Sequence, residues 1–161
     1  MGSSARALLI FLASVVVTAA PAAAQQCRDD TVWLRGDWGM ARFHVDVADS
    51  AEERSRGLMF VEKMPATAGM LFVYGHASQT AFWMKNTLIP LDMIFVGADG
   101  VVRNVHENAV PGDLTPIRGG DDILAVLEIR GGLAGAIGIE AGAEMRHPAF
   151  GDAAAWSCAA Q

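Results

Sequence analysis

The sequence lacks the motifs that identify several large classes of enzymes and binding proteins. It has two cysteines and four histidines but no C-x-x-C or H-x-x-x-H spacing, so a zinc site has little support. It has no G-x-S-x-G motif, no phosphate-binding glycine loop and no β-α-β rhythm, which argues against a serine hydrolase and a doubly wound nucleotide-binding fold. It has no basic stripe, and its formal net charge is −6. This charge argues against nucleic acid as a partner, and against binding to anionic membranes by charge alone.

Long apolar runs are confined to the first 24 residues. Arg6 precedes a largely apolar stretch at residues 7–17, and small residues follow it up to Ala24. This order is typical of a secretory signal peptide and predicts cleavage after Ala24. An uncleaved membrane anchor is the alternative, but the run is shorter than the roughly 20 residues that a spanning helix needs. We therefore expect residues 1–24 to be a cleaved signal peptide, and the mature protein to be periplasmic or secreted without an integral membrane segment.

The two cysteines, Cys27 and Cys158, lie near opposite ends of the predicted mature chain. In an oxidising compartment an even cysteine count favours pairing, and two cysteines allow one intramolecular connectivity. Thiols that stay free or pair with other molecules are the alternative. We expect a structural Cys27–Cys158 disulfide, and because it would close a loop of nearly the whole domain, it would stabilise the fold by up to about 4–5 kcal/mol.

Residues 25–161 have the length of a single globular domain. Their short β-rich runs predict an α+β, mainly β fold, in which an antiparallel, partly closed, barrel-like sheet of about seven or eight short strands is joined by one or two short helices. The expected strands are residues 31–35, 42–47, 69–75, 80–84, 91–96, 101–106, 123–129 and 144–147, and the expected helices begin at residues 50 and 133.

Three local signals are specific enough to fix boundaries. Ser50 and Glu53 form an S-x-x-E capping box, which predicts a helix that runs towards Gly57. The Asp99-Gly100 pair stands between two β-rich runs and predicts a hairpin turn. Glycine and proline dominate residues 111–120 and predict a long loop there.

Polar residues interrupt the most apolar part of the sequence. Lys85 and Asn86 follow Phe82-Trp83-Met84, and Asp92 precedes Met93-Ile94-Phe95-Val96. A lone charge is very unfavourable to bury unless it is paired or neutralised, so we expect Lys85 and Asp92 to meet at a pocket rim beside Asn86 and Trp83. The alternative is structural, with Asn86 in a turn, Asp92 satisfying loop amides and Lys85 extending to water.

Arg56 and Glu128 are two further candidates for ligand contacts. Arg56 ends the predicted helix, where the helix dipole also favours a cation. Glu128 interrupts a strand whose other residues favour burial, so it needs a partner, which Arg56 or Lys85 could supply. If Asp92 and Glu128 faced one cavity, the pair could perform acid–base or glycoside chemistry.

Methionine is plentiful in the same region, at positions 59, 64, 70, 84 and 93. Thioether ligands together with Trp or His suit Cu(I) in an exported protein. Methionine also fills irregular cores, and we prefer that interpretation. We therefore predict no metal site and no cofactor.

Five motifs occur in a characteristic order. They are RGLMF from Arg56, GMLFVY from Gly69, FWMKNTLIPLDMIFVGADG from Phe82, VLEIRGG from Val126 and GIEAG from Gly138. In this combination the sequence resembles the family called domain of unknown function 192, small bacterial and archaeal proteins that often carry an export signal, over about residues 45–147. Val61 stands where the family often has a basic residue. The resemblance implies a compact, mainly β fold with a small helical part, and it implies no reaction.

These observations favour a binding module whose pocket surrounds the FWMKNT-x-x-PLD motif. Trp83 would stack on a small ligand or a partner protein segment, and Lys85, Asn86 and Asp92 would orient it, as a few converging polar groups do in ligand pockets. One alternative is a hydrolytic enzyme that uses Asp92 or Glu128. Another is a periplasmic copper-handling protein that uses methionine and histidine.

The signal peptide is open to a direct test. Protein recovered from its host should begin at Gln25, because the cleavage signal ends at Ala24. Sequencing of the amino terminus measures this. A chain that retains the apolar segment at residues 7–17 would contradict it.

Overall fold

One seven-stranded sheet organises the chain. The computed structural model describes residues 27–159, so the predicted signal peptide lies outside the described residues. The strands are β1 Thr31–Gly36, β2 Gly39–Ala48, β3 Ala68–Phe82, β4 Leu91–Val96, β5 Val102–Ala109, β6 Ile117–Arg130 and β7 Glu144–Arg146, with helices α1 Ala51–Arg56 and α2 Leu133–Ile137 and a 3₁₀ turn at Pro148–Phe150. The predicted number of strands and helices is confirmed. Within this range, neither helix is long and apolar enough to span a membrane.

The sheet is mixed, so the prediction of an antiparallel sheet without a β-α-β unit is wrong. The strand order is β5-β4-β6-β3-β2-β1-β7, and β2 and β3 run parallel while the other neighbours are antiparallel. Parallel neighbours need a crossover connection, and residues 49–67 with α1 supply it. The sheet curls into a half-barrel, in which an isolated bridge between Val101 and Glu144 links the β5 and β7 sides without closing it.

Strands β3 and β6 extend well beyond their predicted bounds. β3 is continuous from residue 68 to 82, where we expected separate strands at 69–75 and 80–84. β6 begins at Ile117, inside the predicted loop at 111–120. The two extensions pair with each other up to Phe82 and Ile117, with register shifts between Val73 and Ala81. Cross-strand hydrogen bonds therefore sustain β structure through segments whose glycine content predicts a break.

The two other local expectations and the predicted disulfide are confirmed. The Ser50 hydroxyl accepts a hydrogen bond from the Glu53 N–H at 3.2 Å, and Glu53 accepts one from the Ser50 N–H at 3.1 Å, so the capping box forms. Gly100 turns the β4–β5 hairpin with a φ of 75°. Cys27 and Cys158 form a disulfide that joins the two ends of the domain.

The sheet buries apolar side chains on both faces. The α2 face carries a cluster that includes Leu71, Ile94 and Leu127. The α1 face carries a second cluster that includes Phe72 and Val126, and loop residues pack over it. Successive strand residues alternate between the two clusters, as the pleat requires. Because every residue of β4 is buried, this strand contributes to both cores.

Asp92 of β4 attaches helix α2 to the sheet. Its side chain is fully buried, and its Oδ1 accepts hydrogen bonds from the N–H groups of Asn108 and Gly132, each at 2.8 Å. Its Oδ2 accepts a third bond from the Ala134 N–H at 2.7 Å. Gly132 has no side chain with which to cap the helix, so Asp92 caps it from the neighbouring strand.

Asp92→Asn tests this anchor. The substitution keeps the shape of the side chain but removes its charge and turns an N–H₂ group towards backbone N–H donors. Hydrogen bonds to charged groups contribute about 1.5–3 kcal/mol each, so we expect the free energy of unfolding to fall by about 3 kcal/mol or more in urea denaturation.

Asp113→Asn is the matched control for this substitution. Asp113 accepts a hydrogen bond from the Thr115 N–H at 2.8 Å in an exposed turn, where water can replace the lost bond, so the loss should be much smaller than for Asp92→Asn. Equal losses in the two variants would contradict the assigned role of Asp92.

Candidate functional site

A cleft of about 260 Å³ opens on the α1 face of the sheet. Its walls come from the end of α1 and residues 57–59, from β3, and from residues 81–87, and β6 contributes to it from the sheet. The cleft brings together four of the six predicted ligand contacts: Arg56, Trp83, Lys85 and Glu128. The other two, Asn86 and Asp92, do not line it.

Glu128 contributes a buried carboxyl group to the cleft. It is 4% exposed and lies between Met70 of β3 and Met93 of β4. Within residues 27–159 its carboxyl group forms no hydrogen bond or ion pair. Burial raises the pKa of Glu128 to about 8, because its surroundings do not replace the water that would stabilise the charged form. The group is therefore mainly protonated at pH 7 and can both donate and accept a hydrogen bond.

Three cationic side chains line the same cleft, namely Arg54, Arg56 and Lys85. In the described part of the chain none of them forms an ion pair with a carboxylate. The Lys85 Nζ lies 5.2 Å from the centroid of the Trp83 ring, which is a cation–π distance. Since Glu128 is mainly neutral at pH 7, the ionised groups of the lining are positive.

Arg54 is a lining residue that the sequence interpretation missed. Its Nη1 donates to the carbonyl oxygen of Val73 at 2.9 Å and to that of Asp49, and its guanidinium lies 5.1 Å from the centroid of the Tyr74 ring. These contacts attach the helix to β3. The available signal was its position two residues before Arg56, but the parallel β2–β3 pairing that brings α1 to this strand was not predicted.

Aromatic side chains form the apolar wall of the cleft. Phe72 and Phe82 meet edge to face, with ring centroids 4.9 Å apart. Gly57 leaves room for Phe72, since a Cβ on Gly57 would lie 3.0 Å from the Phe72 Cζ. Burial raises the pKa of Tyr74 above its ordinary value, so its hydroxyl stays protonated at neutral pH. Trp83 is about half exposed and therefore remains accessible to a ligand.

Asn86 braces the loop beside the cleft. It has a φ of 54°, which Asn tolerates better than most residues, and its carbonyl oxygen accepts a hydrogen bond from the Phe60 N–H at 2.9 Å. Its Nδ2 donates to the Met59 Sδ at 3.7 Å. These are contacts between loops, in keeping with the structural alternative.

Asp92 and Glu128 point to opposite faces of the sheet. In the β4–β6 ladder Asp92 pairs with Ile129, and Met93 pairs with Glu128. Paired residues share a face and successive residues alternate, so a separation of one ladder position sends the two carboxyl groups apart. The structure therefore gives no support to acid–base chemistry by this pair.

The described residues also offer no clear metal centre. Residues 27–159 contain no group of three or more His, Cys, Asp or Glu side chains that could hold a metal ion. Met84 and Met93 are fully buried in the core of the α1 face, and Met64 and Met70 pack against that core. Their placement is that of core-filling residues, and the copper hypothesis gains no support from it.

Glu128→Gln tests the burial of a neutral acid. The folded-state pKa of about 8 exceeds the ordinary value of 4.5, so the folded protein holds a proton that the unfolded chain has lost between these pH values. This contribution to stability is fully present below pH 4.5 and is lost as pH rises through 8. Glutamine stays neutral, so the stability of the variant relative to wild type should rise by about 3 kcal/mol from pH 5 to pH 8 in urea denaturation.

Glu62→Gln, at an exposed loop position, is the control for that pH profile and should give a constant difference from wild type. If Glu128→Gln also gave a constant difference, the carboxyl group would not be buried as a neutral acid.

Comparison with known proteins assigns the chain to a family but identifies no activity. The chain aligns with a crystal structure of a protein of unknown function from Novosphingobium aromaticivorans DSM 12444 at 43% identity and a TM-score of 0.70, over 71% of this chain and 82% of that one. A structure from Sinorhizobium meliloti 1021, of a protein described as a candidate transcription regulator, is 34% identical with a TM-score of 0.70, over 74% and 94% of the two chains. No curated protein matches the chain. The DUF192 family model, described as "Uncharacterized ACR", matches residues 32–147, and the chain belongs to this family.

Proposed function

We propose that the protein is an exported binding module that holds a small anionic ligand with an apolar ring. The sign of the charge in the cleft carries this proposal. Arg54, Arg56 and Lys85 line the cleft without a carboxylate partner among residues 27–159, on a chain whose formal net charge is −6. Unneutralised cations in one concave site concentrate positive potential there, which attracts a carboxylate or a phosphate group.

The three cations have different roles in this proposal. Arg54 is already bonded to two backbone carbonyl oxygens, so it contributes mainly through its field. Arg56 and Lys85 have exposed side chains and are available to the ligand. The guanidinium of Arg56 can bind a carboxylate through two parallel hydrogen bonds, whereas Lys85 offers a single point charge held near Trp83.

Glu128 sets a second requirement for the ligand. A buried polar group without a partner costs about 1–3 kcal/mol, so a ligand that pairs with this carboxyl group gains an advantage over one that does not. Because the group is mainly protonated at pH 7, it suits a neutral hydroxyl or carbonyl group rather than a second anionic one. The aromatic wall of Phe72, Phe82 and Trp83 fits a ring between the two ends.

The size of the cleft favours a small molecule. Its volume of about 260 Å³ lies just below the roughly 300 Å³ at which typical ligand pockets begin. One ring with two short substituents matches this space better than a nucleotide or an oligosaccharide does. Binding is preferred to hydrolysis because Asp92 and Glu128 point to opposite faces.

Titration calorimetry with 4-hydroxyphenylacetate tests the proposal, since this probe has an anionic end, a ring and a neutral hydroxyl. We expect Arg56→Gln and Lys85→Gln each to weaken binding about tenfold, because each removes a charge-assisted contact. Lys63→Gln is the matched control, since Lys63 is an exposed lysine that does not line the cleft, and it should change binding by less than about twofold.

Two comparisons complete this experiment. Binding should weaken as pH rises through 8, because ionised Glu128 loses its donor and repels the anion. The uncharged analogue 4-hydroxyphenylethanol should bind more weakly than the acid. Equal binding of the two probes, or a cationic ligand retained by protein recovered gently from its host and identified by native mass spectrometry, would overturn the proposal.

A further inference from the structure

Large apolar side chains are exposed on the loops that cover the α1 face. Among residues 27–159 six large hydrophobic side chains are at least half exposed. Five of them lie on three loops, residues 57–67, 83–90 and 110–116, and we name these five the apolar rim: Phe60, Trp83, Leu88, Val110 and Leu114. The sixth, Met40, lies on the β1–β2 hairpin. Clustered exposed apolar side chains mark an interaction surface.

Backbone hydrogen bonds join the three loops into one platform. The Phe60 N–H donates to the Asn86 carbonyl oxygen at 2.9 Å, which links the first loop to the second. The Met84 N–H donates to the Asp113 carbonyl oxygen at 2.8 Å, and the Gly112 N–H donates to the Met84 carbonyl oxygen at 3.0 Å. The rim is therefore presented by a single bonded unit.

The fold holds Phe60 outward at an energetic cost. Phe60 has a φ of 64°, a left-handed conformation that is an outlier for a bulky residue, and its side chain is 67% exposed. A strained residue of this kind costs about 1–3 kcal/mol and persists where the surrounding structure enforces it. Neither burial of the ring nor the backbone preference of phenylalanine explains this conformation. We therefore look for its explanation in a partner that the exposed ring contacts.

The charges around the rim differ from those of the whole chain. The chain has two lysines, Lys63 and Lys85, and both lie on rim loops, where they balance Glu62 and Asp113. The neighbouring helix α1 carries two arginines and two glutamates, so the rim loops and α1 together are formally neutral on a chain whose formal charge is −6. An anionic surface would therefore meet less repulsion here than the net charge of the chain suggests.

We propose that the apolar rim docks the protein onto an anionic lipid surface. Trp and Phe with neighbouring lysines suit the boundary between headgroups and acyl chains, where apolar insertion and attraction to anionic lipid act together. The acidic chain could not bind such a surface by charge alone, and the five apolar side chains supply the missing contribution. This proposal does not require the cleft to hold a ligand.

The form of the rim favours lipid over a protein partner. Its side chains come from loops, and lipid accepts single inserted side chains without a complementary shape, whereas a protein interface needs a matched and extensive contact. Phe60 and Trp83 are not joined into a helix face or a sheet edge that a second chain could extend. A second copy of this chain is the competing occupant, and the test distinguishes it.

Vesicle sedimentation tests the docking, with protein recovered gently from its host so that its amino terminus is the natural one. Vesicles of phosphatidylglycerol and phosphatidylcholine in equal parts should bind the wild type at least about tenfold more tightly than phosphatidylcholine vesicles do. The double substitution Phe60→Ser and Leu114→Ser should weaken binding to the anionic vesicles by about tenfold or more. Met40→Ser, an exposed apolar position outside the rim, should bind like wild type.

The remaining results of these experiments either support or overturn docking of the rim onto lipid. Brominated acyl chains should quench tryptophan fluorescence in the wild type and much less in Trp83→Phe, which would support insertion of the rim. The proposal is overturned by absent vesicle binding, by equal binding to both vesicle types, or by a rim double variant that binds like wild type. It is also overturned if the wild type sediments as a dimer and the rim variant as a monomer, because the rim would then cover a second copy. If the wild type bound anionic vesicles but not 4-hydroxyphenylacetate, only the proposed ligand binding in the cleft would be contradicted.

Discussion

The pleat of the β4–β6 ladder determines where two buried carboxyl groups point, and both sides of the molecule depend on it. Asp92 and Glu128 lie on adjacent strands, one ladder position apart. In a structure whose side chains alternate with a period of two, one position is enough to send them to opposite faces. The α2 face therefore receives an acceptor for backbone N–H groups, and the α1 face receives an acid beside a cleft.

The two carboxyl groups differ because their surroundings differ. Asp92 accepts hydrogen bonds from two N–H groups at the start of α2 and from one in β5, so its buried oxygens are fully used in joining helix to sheet. Glu128 lies between Met70 and Met93, which offer no strong donor, and burial therefore favours its neutral form. The carboxyl group of Asp92 therefore braces the fold on the α2 face, whereas that of Glu128 can donate a hydrogen bond on the α1 face.

Local sequence signals correctly predicted the structural features that depend only on residues close together in the sequence. The capping box at Ser50 and the Asp-Gly turn before β5 depend on interactions within a few residues, and both formed as expected. The parallel pairing of β2 with β3 depends on a crossover whose direction no local pattern reveals. For that reason Glu128 could be identified as an acid in need of an explanation, whereas Arg54 could not be assigned to the cleft.

Net charge and local charge lead to different expectations about partners. Several acidic side chains of this chain are paired, as in Arg35 with Glu144 and in Arg103 with both Asp99 and Asp122. Within the described part of the chain the cations of the cleft have no such partner, so their field is less neutralised. At physiological ionic strength charges are screened within about 8 Å, which means that the proposed ligand would respond to the nearby cations more than to distant acids. An overall acidic protein can therefore select anions, provided that its unpaired cations are gathered in one place and its nearest acid stays protonated.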